Sequence, residues 1–315
     1  MIIYIAFFLL SINYTNLHAH TNLIVPPIIQ REIKELKKTP TLFAQNYNRF
    51  VNQLLTLNDK IKPHISIKKN NALRVMSFNV HKFSDAKRKP TESQMLEIVN
   101  TTNPDVLVFQ EADLDNPLVL ELKKRGYIHT VFGGIDSKSS FGNLLLSRYP
   151  LKRSSVHYFK SNDHIKMGRT RSFIKAELDL SAFNKKNLVI YGTHLAIYTQ
   201  VSGYTKANIE PDNQIRLMEV KEIVAMIQKE NAQKNVLLAG DFNHDYSSTV
   251  EQYLNDHNFK DCFANRGISH FFTSIYGHIV DFIKTKFIDL YPTGCYVYFT
   301  TASDHLPLLM DVELK

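Results

Sequence analysis

Tryptophan is absent from the 315 residues, and cysteine occurs only at Cys262 and Cys295. Two cysteines do not make the framework of a small disulfide-stapled domain. Whether this pair forms a bridge or stays as two buried thiols is open at the level of sequence. No HExxH and no paired-cysteine spacing is present, which argues against the usual structural and protease-type zinc sites. Beyond the first dozen residues no apolar run approaches the length of a membrane span. Internal repeats and low-complexity segments are also missing, so solenoids and linker-like chains are set aside. What remains is 44% hydrophobic and 22% charged, ordinary globular composition with length for one large α/β domain or two smaller ones. The net charge of +8 favours nucleic acid or an anionic membrane surface as partner. A lysine-rich surface with no specific partner is the plain alternative.

The chain opens on an apolar stretch, Ile2 to Ile12, followed by polar residues and the small Ala19. It is too short to span a bilayer and reads as a secretory signal peptide over residues 1–19, cleaved after Ala19. That implies a secreted or periplasmic protein. The lack of positive charge beyond Met1 keeps an uncleaved membrane anchor as the rival. Residues 20–71 differ in character. Phe43, Tyr47, Phe50 and Leu54 recur at helical steps, which predicts an amphipathic N-terminal helical extension. The main domain then covers residues 72–315.

Within it, buried strands are expected at Leu73–Val80, Val106–Phe109, Asn143–Ser147, Leu188–Thr193, Ile279–Lys284, Tyr296–Thr300 and Leu306–Leu314. Thr170–Leu180 alternates as an edge-type strand would. Thr91 with Gln94 signals a capping box, and Asn116-Pro117 starts a second helix. A loop is expected from Tyr198 to Asp212, with Asn213 capping the helix that follows. The stretch NVLLAGDFNHD, Asn235 to Asp245, organises the rest. An apolar run ends at Gly240 and presents Asp241 and Asn243 on one side if the backbone stays extended. A carboxylate and an amide there suit proton transfer and oxyanion contact; a strand-end turn is the simpler reading.

Polar residues recur at strand ends: Asn79, Glu111, His194, Asp241 with Asn243, and Asp304 with His305. If the strands align, these meet on one rim. Carboxylates with few cysteines favour a hard cation, Mg²⁺ or Mn²⁺. Taken in order, SFNV (Ser77–Val80), FQE (Phe109–Glu111), GNLLLSR (Gly142–Arg148), THL (Thr193–Leu195), GDFN (Gly240–Asn243), VDFI (Val280–Ile283) and SDHLP (Ser303–Pro307) resemble the endonuclease/exonuclease/phosphatase superfamily, which has the deoxyribonuclease I-like fold. The resemblance implies a four-layered α/β sandwich of two mixed sheets flanked by helices, and metal-dependent phosphoester cleavage. It further implies metal binding by Glu111, Asn79 and Asp304. His305 would face the scissile phosphate, oriented by Asp281. Asp241 would position or deprotonate the attacking water, and Asn243 would hold a phosphate oxygen. His194 would stand on the opposite side of the phosphate, and Asn143 occupies the family's usual asparagine position. Arg171, with Arg169, would approach a phosphate or be a solvated basic edge. His81 stands where some members carry aspartate, and the inositol-phosphate phosphatase signature, with Trp-Cys, is missing.

The function expected first is therefore a secreted, metal-dependent nuclease acting on DNA or RNA by in-line water attack, as a monomer with no protein partner. A phospholipid phosphodiesterase or phosphatase is the alternative, with Tyr198, Val201 and Tyr204 as its exposed apolar loop. A non-catalytic binding member of the fold comes third.

Overall fold

A computed structural model describes residues 67–160, 171–196, 206–231, 234–244, 248–263, 273–274, 280–298 and 300–314. The chain divides into two units, Met1–Leu57 and Asn58–Lys315, and the described residues all belong to the second. The expected leader and residues 20–66 of the expected N-terminal extension lie outside them, as do Arg169, Tyr198, Val201 and Tyr204. Among the described residues no helix is long and apolar enough to cross a membrane.

Among the described residues twelve strands build two six-stranded sheets. The first contains β1 (Ala72–Asn79), β2 (Val106–Asp113), β3 (His129–Gly134), β4 (Phe141–Ser147), β11 (Tyr291–Val297) and β12 (Leu308–Glu313), in the order β11-β12-β1-β2-β4-β3. The second contains β5 (Leu151–Tyr158), β6 (Ser172–Leu178), β7 (Leu188–His194), β8 (Asn235–Asp241), β9 (Lys260–Asp261) and β10 (Asp281–Lys286), in the order β5-β6-β7-β8-β10-β9. Only β1·β2 and β7·β8 run parallel among the paired strands. Such mixed sheets need apolar cover on both faces.

The sequence supplies that cover. Alternate residues of β1, Leu73 and Val75, join Val106, Val108, Ile190, Leu237, Ala239 and Ile283 between the sheets. The opposite parity of β1, Met76 and Phe78, packs on Met95, Ile98, Leu118 and Leu122 of α1 (Glu92–Thr102) and α2 (Pro117–Lys124). On the far side Val189, Tyr191 and Leu238 meet Val220, Ile223, Val224 and Leu254 of α3 (Lys206–Asn231) and α4 (Thr249–Asp256). Helix, sheet, sheet, helix is the expected four-layered sandwich.

Local expectations fared unevenly. Asn116 caps α2 by accepting from the Leu118 N–H, with Pro117 at its first position. Thr91 precedes α1 but makes no capping bond; its hydroxyl donates across to the Ala302 carbonyl at 2.6 Å. Helix α3 starts at Lys206, inside the expected loop, so Asn213 does not cap it. Strand β11 covers Tyr291–Val297, earlier than expected. β6 is an interior strand, every residue buried, because β5 lies outside it. Its Lys175 and Glu177 look solvent-facing in sequence, yet Lys175 pairs with Glu230, and Glu177 pairs with Lys234 at 2.8 Å.

Two buried ionic clusters tie strands to their neighbours. Arg74 on β1 donates from Nε and Nη2 to the Asp311 carboxylate on β12, at 2.6 and 2.7 Å, and from Nη1 to the Thr102 carbonyl at 2.7 Å. Lys284 on β10 lies between Glu251 at 2.6 Å and Asp261 at 3.2 Å. Buried charges persist only when paired in this way.

Candidate active site

Strand direction assembles the site. The parallel pairs β1·β2 and β7·β8 end on one rim, in Asn79, Gln110-Glu111, His194 and Asp241. There β10 begins at Asp281, directly opposite Asp241 in register, and the segment leading into β12 carries Asp304 and His305. Two local departures from regular strand shape the rim. β2 bulges between Phe109 and Ala112, with Glu111 at a positive φ of 52°; the irregularity re-aims the carboxylate, as bulges beside active sites commonly do. Gly240, at φ 155°, leans on β7 so closely that an added Cβ would lie 1.9 Å from the Thr193 carbonyl oxygen. Only glycine allows β7 and β8 to end side by side there.

Asp241 sits at the centre and is buried. Its Oδ2 accepts from Asn79 Nδ2 at 3.0 Å and lies 3.4 Å from His194 Nε2 and 3.8 Å from His305 Nε2. Its Oδ1 accepts from the Asn243 backbone N–H at 3.0 Å. Burial and the neighbouring Asp281 raise its pKa from 3.8 to about 6, against the lowering effect of His305. His305 Nδ1 bonds Asp281 Oδ2 at 2.8 Å. Burial disfavours its charge, but Asp281 and Asp241 prevail and lift the imidazole from 6.5 to about 10. His194 goes the other way. Burial, then the charges of Arg171 and His305, hold it well below 6.5. At neutral pH the two imidazoles that face one carboxylate therefore differ: His305 is protonated and His194 is neutral. Titratable groups whose environments drive them apart in this way mark acid–base sites.

The backbone behind this trio is tied down. Thr273 Oγ1 accepts from the N–H groups of Val280 and Asp281, both at 3.0 Å. Ser303 Oγ donates to the Asn79 carbonyl at 2.8 Å. Ser303 stands in the SDHLP motif but carries no assigned role from sequence, and a lone residue such as Thr273 gives no signal at all.

Glu111 is half-buried, 3.9 Å from His194 Nδ1. Its pKa is raised by burial, by Asp241 and by Asp304. Like charges gathered in a cleft are what a cation relieves. The oxygens of Glu111, Asp304 and Asn79 are hard donors suited to Mg²⁺ or Mn²⁺. Asn79 Oδ1 accepts one bond, from the His81 N–H at 3.2 Å, and keeps its second lone pair. Ligand atoms of Asp241, Asp281 and His305 also lie within 4.8 Å of one another. That group suits a metal less well, because the Asp281 bond takes Nδ1 and a protonated imidazole has no lone pair at Nε2.

The remaining expected residues divide. Asn143 on β4 donates from Nδ2 to the Ser172 carbonyl at 2.7 Å, while its Oδ1 is buried without a partner. Arg171 donates from Nη1 to the His194 carbonyl at 3.3 Å and also to that of Leu195. Both line a cavity of about 140 Å³ with Glu111, Phe141 and His194. Asn243 departs from expectation. It adopts a left-handed φ of 50°, so it does not continue the strand beside Asp241, and its Nδ2 donates to the Leu195 carbonyl at 3.1 Å.

A rim of this construction on a four-layered sandwich agrees with a family model. Residues 76–311 match the Endonuclease/Exonuclease/phosphatase family. The chain belongs to that family. Its members are typically hydrolases of phosphodiester bonds and generally use divalent metal ions. Staphylococcus aureus proteins named phospholipase C are 29% identical over 238 residues, covering 66% of this chain and 67% of their own length. Solved family structures share the fold. An endonuclease/exonuclease/phosphatase from Beutenbergia cavernae is 21% identical, covering 78% of this chain and 72% of that one, with a TM-score of 0.59. D. rerio TDP2 complexed with a single-strand DNA product is 16% identical, covering 78% of this chain and all 100% of that one, with a TM-score of 0.58.

Proposed function

We propose that the chain is a metal-assisted phosphodiester hydrolase whose substrate is a phospholipid head group. The reaction rests on one observation: His305, braced by Asp281, and His194 both face the Asp241 carboxylate. The choice of substrate draws on the phospholipase C relatives, which match this chain at higher identity than the DNA-bound structure does. The order of the two substrates is thus the reverse of the sequence expectation. Nucleic acid is the second reading, favoured by the net charge of +8 and by the counterions that lysine and arginine displace from a phosphate backbone.

Glu111, Asn79 and Asp304 would hold the cation, which when bound neutralises charge on the phosphoryl oxygens. The chain's own residues do the rest. Asp241, ionised above pH about 6, takes the proton of the attacking water. The Asn79 amide and the Asn243 N–H each hold one of its oxygens, which fixes the orientation of the carboxylate. His305, held in one ring orientation by Asp281, donates from Nε2 to the phosphate and stabilises the charge that builds up in line with the attack. His194 contributes a neutral imidazole on the other side, its backbone carbonyl held by Arg171. Export through the leader, and activity outside the cell, belong to the same reading.

Sphingomyelin or phosphatidylcholine vesicles and a supercoiled plasmid, each incubated with the full chain and Mg²⁺, test the choice. Release of the phosphorylated head group with an intact plasmid supports the lipid reading. Nicking without head-group release replaces it with the nuclease reading, and neither product from folded protein sinks both.

A further inference from the structure

The only two cysteines of the chain lie on different sheets and meet. Cys262 follows β9 at one edge of the second sheet, tied to β10 by its N–H donating to the Ile283 carbonyl at 3.0 Å. Cys295 is on β11 at the edge of the first sheet, opposite Met310 of β12. Across the core between the sheets, the free thiol of Cys295 donates from Sγ to the Cys262 carbonyl oxygen at 2.9 Å. Both are buried, at 0% and 5% exposure, among the aliphatic side chains that join the sheets.

We infer that Cys262 and Cys295 are the two halves of a cross-sheet disulfide, formed when the chain folds in an oxidising compartment. The 2.9 Å approach of Cys295 Sγ to the Cys262 backbone sets the two residues side by side, and adjacency is what a bridge between two cysteines requires. With no third cysteine, neither has another intramolecular partner. Burial holds the Cys262 thiol well above its usual pKa, so the native reduced pair is slow to react. The bond therefore forms during folding, before β11 closes over Cys262. The oxidant is an exogenous disulfide, either a small-molecule disulfide or the disulfide of an exchange enzyme. One cysteine thiolate attacks it, giving a mixed disulfide and releasing one thiolate. The second cysteine thiolate then attacks the mixed disulfide at the protein sulfur, forming the Cys262–Cys295 bond and releasing the second thiolate. The oxidant gains two electrons, and the two cysteine protons end on its two thiols. The bond closes a loop of sequence separation 33 and joins the sheets at an edge where no other covalent link is possible.

The test is to refold the full chain in a glutathione redox buffer, denature it, and count free thiols. Peptide mass mapping and thermal melting with and without reductant follow on the same sample. The expected result is no free thiol, a linked pair of peptides carrying Cys262 and Cys295, and a melting temperature that falls by roughly 5–10 °C on reduction. Cys262→Ala and Cys295→Ala should each show one free thiol and a melting temperature indifferent to reductant. The mass map needs neither variant, so their failure to fold would not decide the question. Two free thiols after oxidative refolding, or glutathione adducts in place of the linked peptides, would overturn the inference.

Discussion

Asp281→Asn separates a braced acid from a histidine that merely lies near a phosphate. The rise of His305 from 6.5 to about 10 corresponds to roughly 5 kcal/mol of preference for the imidazolium. Asp281 heads the charges that produce it and is also the hydrogen-bond partner of Nδ1. Asparagine keeps the shape and an acceptor oxygen but removes the charge, leaving burial free to push the imidazole down. His305 in the variant should then be neutral at pH 7.5. Loss of the charged orienting group from a buried imidazole costs turnover about 10³–10⁴-fold in comparable arrangements. Because Asp281 is also the neighbour that raises Asp241, both limbs of the pH–rate profile should move toward acid, and part of the lost rate should return near pH 5.5. Stability gives a second reading. A folded-state pKa above the unfolded value stabilises fully below the unfolded one and loses its effect as pH rises through the folded one. Wild-type protein should therefore lose stability between pH 6.5 and 10, and the variant should not. The assay is a pH series of turnover, with nitrogen-15 NMR titration of His305 in the metal-free protein. A wild-type His305 that titrates near 6.5, or a variant within tenfold of wild type, would refute the reasoning.

Wild-type turnover should follow a bell, rising through pH about 6 as Asp241 ionises and falling through about 10 as His305 loses its proton; a flat profile across pH 6 would remove Asp241 as the base. Gly240→Ala should cost at least about 2 kcal/mol, because the new methyl meets the Thr193 carbonyl and forces apart the strands that present His194 and Asp241. Urea melts and turnover should fall together in that variant, and a wild-type midpoint would contradict the close approach. Asp311→Ala leaves the Arg74 guanidinium buried without its carboxylate and should cost about 3–5 kcal/mol, again read by urea denaturation. Glu111→Gln should weaken Mn²⁺ binding in a calorimetric titration by at least about tenfold, while unchanged affinity would place the cation elsewhere.

Most of the rim was legible because three of its strands, β2, β7 and β8, are apolar runs that stop at a polar residue, and that punctuation survives without coordinates. The ordered tripeptides then named the family. What escaped lay where local sequence and tertiary setting disagree. β5, LKRSSVHY, is an edge strand with no fully buried residue, so it carries neither an apolar run nor the alternation that marks half-buried strands. β6 reads as an edge because its residues alternate, and the structure buries its Lys175 and Glu177 by pairing them with Glu230 and Lys234 on other elements. Asn243 follows the right carboxylate, but its left-handed backbone turns it aside, a conformation asparagine tolerates and sequence does not announce. The opposite protonation of the two histidines is invisible in sequence too, since it depends on which one gains Asp281 and which one faces Arg171.

The most direct measurement is the initial rate of phosphodiester cleavage, on phospholipid vesicles and on DNA, as Mg²⁺ is titrated into metal-free protein beside His305→Ala. The account predicts a rate that rises from near zero to saturation on one of the two substrates and is lost in the variant. A rate indifferent to Mg²⁺, or a His305→Ala protein as active as wild type, would contradict it.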